Sequence, residues 1–243
     1  LSSIRHLFLG GEPIVISKMK YWISSEDFNT EIVNSYGPTE CTDISSFYRI
    51  KSPARYIDAN IPIGRPNSNV ELYILDDELN VMPIGVAGEL CIGGTGVGRG
   101  YINDADLTAK KFVNNPFSDD PHAKIYRTGD RVRYLADGNI EYLARFDDQV
   151  KLRGLRIELG EIESILRQQS AVKDAVTIVK DERLVAYVVL ETEEVKQSDL
   201  KKALRDRLPA YMVPHAFMLI DHIPLSPNGK VDRKALPEPD YTQ

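Results

Sequence analysis

Apolar and polar positions alternate in three different ways along this chain, and each pattern predicts its own kind of element. Near the start, Arg5-His6-Leu7-Phe8-Leu9 reads as a strand and Gly10-Gly11-Glu12-Pro13 as a turn. Apolar side chains then recur at helical spacing from about Ile14 to Ile23, before a short strand that ends at Ser35. Strand, helix and strand in that order predict the end of an α/β sheet subdomain. From Asp43 to about Arg145 the runs shorten and become rich in Val, Ile and Tyr, as in Val70-Glu71-Leu72-Tyr73-Ile74-Leu75, with Gly and Pro between them. That pattern predicts a mostly antiparallel, β-barrel-like subdomain. Arg131 to Leu135 and Asn139 to Leu143, joined by Asp137-Gly138, form its clearest hairpin.

After Phe146 the helical period returns. Leu159, Ile162, Ile165 and Leu166 predict a helix from about Gly160 to Gln169, and strands are expected near Val172 to Val179 and Leu184 to Leu190. A second helix is expected to start on Ser198 as N-cap, to bury Leu200, Ala203 and Leu204, and to stop at Pro209. This is the signature of a small α+β domain. The chain as a whole is therefore read as mixed α/β, with one domain over residues 1–146 and a second over residues 147–243, the boundary falling at Asp147. Leu236-Pro237-Glu238-Pro239-Asp240 is the one linker-like stretch, and no internal repeat is visible.

Composition narrows the function classes. With 42% apolar residues in 243, the chain has enough to build a core. Thirty Lys plus Arg against 36 Asp plus Glu give a net charge of −6, which offers no general attraction for nucleic acid or an anionic membrane. Cys41 and Cys91 lie far apart and the four histidines are scattered, so no zinc cluster is expected and a reduced, cytoplasmic setting is the simpler inference. Apolar runs such as Leu184 to Leu190 fall well short of the ~20 residues that span a bilayer. The chain opens on Leu1, so a fragment or a processed chain is expected.

Candidate chemistry gathers in a few turns. Asn34-Ser35-Tyr36-Gly37-Pro38-Thr39-Glu40 ends a strand in a Gly-Pro bend whose amides, Thr hydroxyl and Glu carboxylate could meet a phosphate and the Mg²⁺ that travels with it, while Tyr36 could stack on a base. A solvated turn is the plain alternative. Tyr126-Arg127-Thr128-Gly129-Asp130 reads as a strand ending in a turn, where the carboxylate could accept the two hydroxyls of a ribose or simply form an Asx turn. Residues 144–154 gather Arg145, Lys151 and Arg153 around Asp147 and Asp148. Pro227-Asn228-Gly229-Lys230-Val231-Asp232 sets a lysine on an Asn-Gly turn, where it could bring one positive charge to a phosphate and a carboxylate together. Two shortcuts fail: the glycines of residues 93–100 miss the G-x-G-x-x-G spacing, and Gly229-Lys230 lacks the rest of a Walker A loop.

Taken in order, the segments Asn34 to Glu40, Gly88-Glu89-Leu90 to Gly100-Tyr101, Tyr126 to Asp130, Ala144 to Gly160 and Asn228 to Arg233 resemble the adenylation domains of nonribosomal peptide synthetases, in the adenylate-forming superfamily that also holds acyl-CoA synthetases and luciferases. The resemblance implies ATP-dependent activation of an amino acid to aminoacyl-AMP and pyrophosphate, followed by transfer to a phosphopantetheine thiol on a peptidyl carrier domain. By position it implies Thr39 at phosphate, Glu40 at Mg²⁺, Asn34, Tyr36 and Gly11-Glu12-Pro13 around the adenine, and Asp130 at the ribose. Tyr142 and Arg145 would flank the nucleotide, and Lys230 would bridge the substrate carboxylate and the α-phosphate. Asp147 would be the hinge about which the second domain rotates between the half-reactions. Rotation would exchange Lys230 for Gln149 to Gly154, with Arg153 and Gly154 bordering the pantetheine path. Ala144 stands where the family usually has Gly. Phe8, Gly10, Ser35, Asp43 and Ile44 would line the amino acid side-chain site, and a buried Asp43 carboxylate would suit a polar or cationic substrate side chain, or one bearing a hydrogen-bond donor, unless it pairs with a nearby protein group instead.

The family's earlier half, with its phosphate loop and the aspartate that pairs with the substrate amino group, does not precede Leu1. A complete site is therefore expected to need that N-terminal half. A non-catalytic carrier-docking module and an acyl-CoA synthetase-like ligase are the alternatives.

Overall fold

Strand β1 (His6–Gly10) lies parallel to β2 (Glu31–Tyr36), and the crossover between them is shorter in its helix than the apolar spacing predicts. Residues 16–19 form a 3₁₀ turn that runs straight into one α-helical turn, α1 (Lys20–Ile23). Pro13 and the β-branched Ile14 and Val15 disfavour an earlier start, and no side chain caps the turn at Val15. The Ser25 hydroxyl donates to the Trp22 carbonyl beyond its end. β3 (Ser46–Ile50) adds antiparallel to β2, and the two-residue β4 (Arg65–Pro66) pairs with β3. Ile16, Ile32 and Ile50 are buried between this sheet and the crossover, with Trp22 edge-on to Phe28 at 5.1 Å. The computed structural model describes residues 3–57, 59–192, 195–226 and 231–241.

A second sheet contains β5 (Val70–Leu75), β6 (Gly88–Gly94), β7 (Phe112–Asn114), β8 (Lys124–Tyr134) and β9 (Ile140–Arg145), hydrogen-bonded in the order β5-β6-β8-β7 with β9 also paired to β8. The pairing is antiparallel throughout, and the β8–β9 connection is the Asp137-Gly138 turn read from the sequence. One element here was not expected from the sequence. The helix α2 (Ala105–Lys111) starts at Asp104, whose carboxylate accepts from the Leu107 N–H at 2.9 Å. A second correction concerns Tyr126 to Asp130, which lie within the eleven residues of β8 rather than in a turn after a strand.

The chain divides into two compact units, Leu1–Asp147 and Asp148–Gln243. In the second, β10 (Gln149–Leu152) and β11 (Leu155–Glu158) make a hairpin through Arg153 and Gly154, both at positive φ. The helix α3 (Leu159–Arg167) follows and buries Leu159, Ile162, Ile165 and Leu166, the four positions its period marked. β12 (Val172–Lys180) and β13 (Arg183–Leu190) pair antiparallel. The helix α4 (Gln197–Arg205) buries Leu200 and Leu204, and β14 (Ala216–Leu219), a strand the sequence did not betray, joins β13 in parallel. Ser198 is not the cap. The helix begins two residues earlier, with Lys196 at the N-cap and its N–H donating to the Asp199 carboxylate at 3.4 Å. No helix among the described residues is long and apolar enough to cross a membrane.

Candidate functional site

At the end of β2 the chain loops out through residues 37–44 and returns to β3, closed by the Ser45 N–H donating to the Tyr36 carbonyl at 2.8 Å. Gly37 is required here, because a Cβ would run into the Asp43 carbonyl. Thr39, Glu40 and Cys41 form a 3₁₀ turn, and the Gly98 N–H donates to the Glu40 carbonyl at 2.8 Å, so the glycine-rich segment packs its backbone against this loop.

Tyr36 is buried, and its hydroxyl donates to the Asp130 carboxylate on β8. The other Asp130 oxygen accepts from Arg145 Nη1 at 2.7 Å, an ion pair whose side chains are 11% and 8% exposed. Arg145 is bidentate on Asp147, through Nε at 2.5 Å and Nη2 at 2.7 Å, and Nη2 also reaches the Thr128 carbonyl at 3.0 Å. Segments far apart in sequence thus converge on one carboxylate. Burial, then the Asp130 charge, raises the Tyr36 phenol well above its usual range and keeps it a proton donor. For Arg145 burial works downward, but the Asp147 hydrogen bonds and the charges of Asp130 and Asp147 outweigh it, and the guanidinium stays charged. Tyr142, on β9 beside Val132, is half-buried and pushed up to about 12 by burial and then by Asp130.

A second cluster forms around Glu40. Its Oε1 accepts from the hydroxyls of Tyr101 at 2.7 Å and Tyr126 at 2.9 Å. Burial first, then Tyr126 and Glu40, shift the Tyr101 phenol upward, so this ring holds the carboxylate as a donor. Cys41 next door is pushed up to about 12 by burial and by Glu40, which leaves a thiol with no nucleophilic character at neutral pH. No group of three or more metal-ligating side chains occurs among the described residues. An Mg²⁺ ion bound with nucleotide phosphates needs only one or two protein carboxylates, and Glu40 with the Thr39 hydroxyl beside it fits that donor set.

The other residues singled out by sequence are distributed as follows. Asn34 is buried with its Nδ2 donating to the Pro62 carbonyl at 2.8 Å. Ser35 Oγ donates to the Leu9 carbonyl at 3.0 Å, tying β2 to β1 beside Gly10. Phe8 and Ile44 are exposed, as are Gly11, Glu12, Pro13 and Thr39. Asp43 is exposed in this chain, on a bend where Thr42 and Asp43 both take left-handed backbone. Lys230 lies outside the described residues, with Pro227, Asn228 and Gly229. On its near sides, Leu225 and Val231 pair as an antiparallel bridge and the Asp232 N–H donates to the Pro224 carbonyl at 2.8 Å. Sequence reasoning did not find the roles of Tyr101, Tyr126 or Glu89. Their partners come from distant segments, and only the family-like placing of the segments that hold them gave any signal.

Comparison with known proteins adds an independent line. Residues 1–102 match the family model described as AMP-binding enzyme, and residues 161–230 match the AMP-binding enzyme C-terminal domain. Tyrocidine synthase 3 of Brevibacillus parabrevis is 49% identical over 245 residues, which are 98% of this chain and 4% of that protein. Gramicidin S synthase 2 of Brevibacillus brevis is 45% identical over 245 residues, 99% of this chain and 5% of that protein. Among solved structures, holo-PA1221, a nonribosomal peptide synthetase protein containing adenylation and PCP domains bound to a vinylsulfonamide inhibitor, superposes with a TM-score of 0.81 at 30% identity, over 95% of this chain and 40% of that one. The chain spans a small fraction of the length of the curated relatives it matches.

Proposed function

We propose, from the premise that this chain belongs to the AMP-binding enzyme family as the C-terminal portion of a nonribosomal peptide synthetase adenylation domain, that it carries half of an amino acid activating site. The reaction joins an amino acid carboxylate to the α-phosphate of ATP, releases pyrophosphate, and then passes the acyl group to the phosphopantetheine thiol of a peptidyl carrier domain, with AMP leaving. The observation that carries the reading is the convergence of Tyr36 and Arg145 on the buried Asp130 carboxylate, a preorganised acceptor for the two hydroxyls of a ribose.

In this reading Asp130 takes the ribose, held by Tyr36 and Arg145, with Tyr142 beside it. Asn34, Tyr36 and the Gly11-Glu12-Pro13 turn border the adenine, and Thr39 donates to phosphate. Glu40, aimed by the Tyr101 and Tyr126 hydroxyls, is the protein ligand for Mg²⁺, which when bound neutralises charge on the phosphates. Lys230 stabilises the charge that moves between carboxylate and α-phosphate. Phe8, Gly10, Ser35, Asp43 and Ile44 belong to the amino acid side-chain site, which is completed by the N-terminal half of the domain. A barrel-like β portion, a hinge at Asp147 and a mobile domain over residues 147–243 that brings Arg153 and Gly154 to the pantetheine path belong to the same reading.

The test is amino-acid-dependent ATP–pyrophosphate exchange over a panel of amino acids, with this chain alone, with the N-terminal half added, and with Lys230→Ala. Exchange is expected only with the added half, and the variant is expected to lose ~10²-fold or more in rate. No exchange from a folded, complete complex would favour the carrier-docking module instead.

A further inference from the structure

Between the paired positions Glu89 with Arg131 and Cys91 with Arg127, β6 spends one residue, Leu90, while β8 spends residues 128–130. This surplus is a β-bulge, and Asp130 is presented from it. Extra backbone in a buried ladder must find partners. The Thr128 hydroxyl donates to the Leu90 carbonyl at 2.7 Å and accepts from the Asp130 N–H at 2.9 Å, while the Gly129 carbonyl accepts from the Phe146 N–H at 2.8 Å. The Gly129 N–H goes to a side chain, donating to Glu89 Oε1 at 2.9 Å.

Glu89 is itself fixed. Its side chain is 12% exposed, and Oε2 accepts two bonds from Arg127, Nε at 2.8 Å and Nη2 at 2.6 Å. A bidentate guanidinium leaves the carboxylate few other orientations, and an ionised acceptor on a backbone N–H makes a stronger bond than a neutral one. One oxygen is anchored, and the other holds the apex of the bulge.

We infer that Glu89 is a positioning residue for the nucleotide: it fixes the bulge at Gly129 and so sets the direction in which Asp130 meets Tyr36, Arg145 and the ribose. The inference rests on the reading of Asp130 as the ribose contact. Glu89 touches no substrate in it and acts only through the Gly129 backbone. Removing it loosens ribose recognition while the phosphate and Lys230 chemistry stays in place.

The test uses the complete adenylation domain, comparing ATP with 2′-deoxy-ATP in the parent and in the Glu89→Ala, Glu89→Gln and Arg127→Met variants, together with hydrogen exchange at the Gly129 amide. Glu89→Ala is expected to cut the preference for ATP by ~10-fold, through KM with kcat within ~2-fold, and to speed exchange at Gly129. Glu89→Gln keeps an acceptor oxygen and is expected to stay within ~3-fold of the parent, with Arg127→Met between the two. A selective parent whose Glu89→Ala variant folds, keeps the full preference and leaves Gly129 exchange unchanged would overturn the inference alone. Equal losses on both nucleotides would make Glu89 merely structural and overturn it too. A parent indifferent to the ribose hydroxyl would sink the Asp130 assignment and this inference with it.

Discussion

A Cβ added at Gly129 would sit 2.8 Å from Arg145 Nη2 and 2.8 Å from Asp147 Oδ2, at a backbone φ of +76° that side chains other than glycine rarely adopt. Both effects push the same way, since the ion pair must part or the bulge must reshape. Gly129→Ala is expected to cost ~1–3 kcal/mol. Trp22, the only tryptophan, lies in the same unit, so urea unfolding followed by its emission measures that cost directly. An unchanged midpoint would mean that the bulge is softer than its bonds suggest. The same residues show why the site was only partly legible. Asp130 and Tyr36 stood out as residue types, but 94 positions separate them, and nothing local announces that one hydroxyl serves the other's carboxylate. Glu89 entered only as part of the family-like Gly88-Glu89-Leu90 segment, with no role attached.

Local signals succeeded at the Asp137-Gly138 turn and along α3. The Asp137-Gly138 turn needs a residue at positive φ, and Gly138 supplies it at +77°, while the Asp137 carboxylate accepts from the Asn139 N–H at 3.0 Å. The period of α3 succeeded for the same reason. The sequence missed β14, a strand of four residues that is stable only because β13 lies beside it, and it overextended α1, where apolar spacing outvoted the β-branched residues at its start. Two side chains join α3 to its sheet: Glu163 Oε1 accepts from the Thr177 N–H on β12 at 2.8 Å, and Arg167 Nη1 donates to the Ala175 carbonyl at 2.8 Å. Burial raises the Glu163 pKa above the ordinary value, and the Thr177 bond and Arg167 only partly oppose it. A carboxyl that holds its proton more tightly when folded stabilises most below its unfolded pKa of ~4.3, and that stability is lost as the pH rises through the folded value. At neutral pH the ionised form therefore works against the fold. Glu163→Gln keeps the acceptor without the charge, so it is expected to raise the urea midpoint at pH 7 and to lose that advantage near pH 4. A lower midpoint at pH 7 would mean that the Arg167 ion pair, at 3.4 Å, outweighs the cost of burial.

At the scale of the whole chain, the largest apolar cluster is drawn from one side of the Asp147–Asp148 peptide. Leu152, Ile157, Ile162, Leu166, Val188, Leu204 and Phe217 pack together there, contributed by hairpin, helices and sheet of residues 148–243. A unit with its own core is expected to fold by itself. Residues 148–243 expressed alone should give a dispersed amide spectrum and one cooperative urea transition, and a collapsed spectrum would show that the first unit is needed. Asp147 is clasped by Arg145 within the first unit, and Asp148 pairs with Arg233 at 2.6 Å within the second, so neighbouring carboxylates answer to opposite sides of the boundary. For anyone exchanging parts between related synthetases this marks a seam: a graft joined between these two aspartates carries each ion pair across whole, whereas a cut a few residues to either side would leave a donor arginine in one parent and its acceptor in the other.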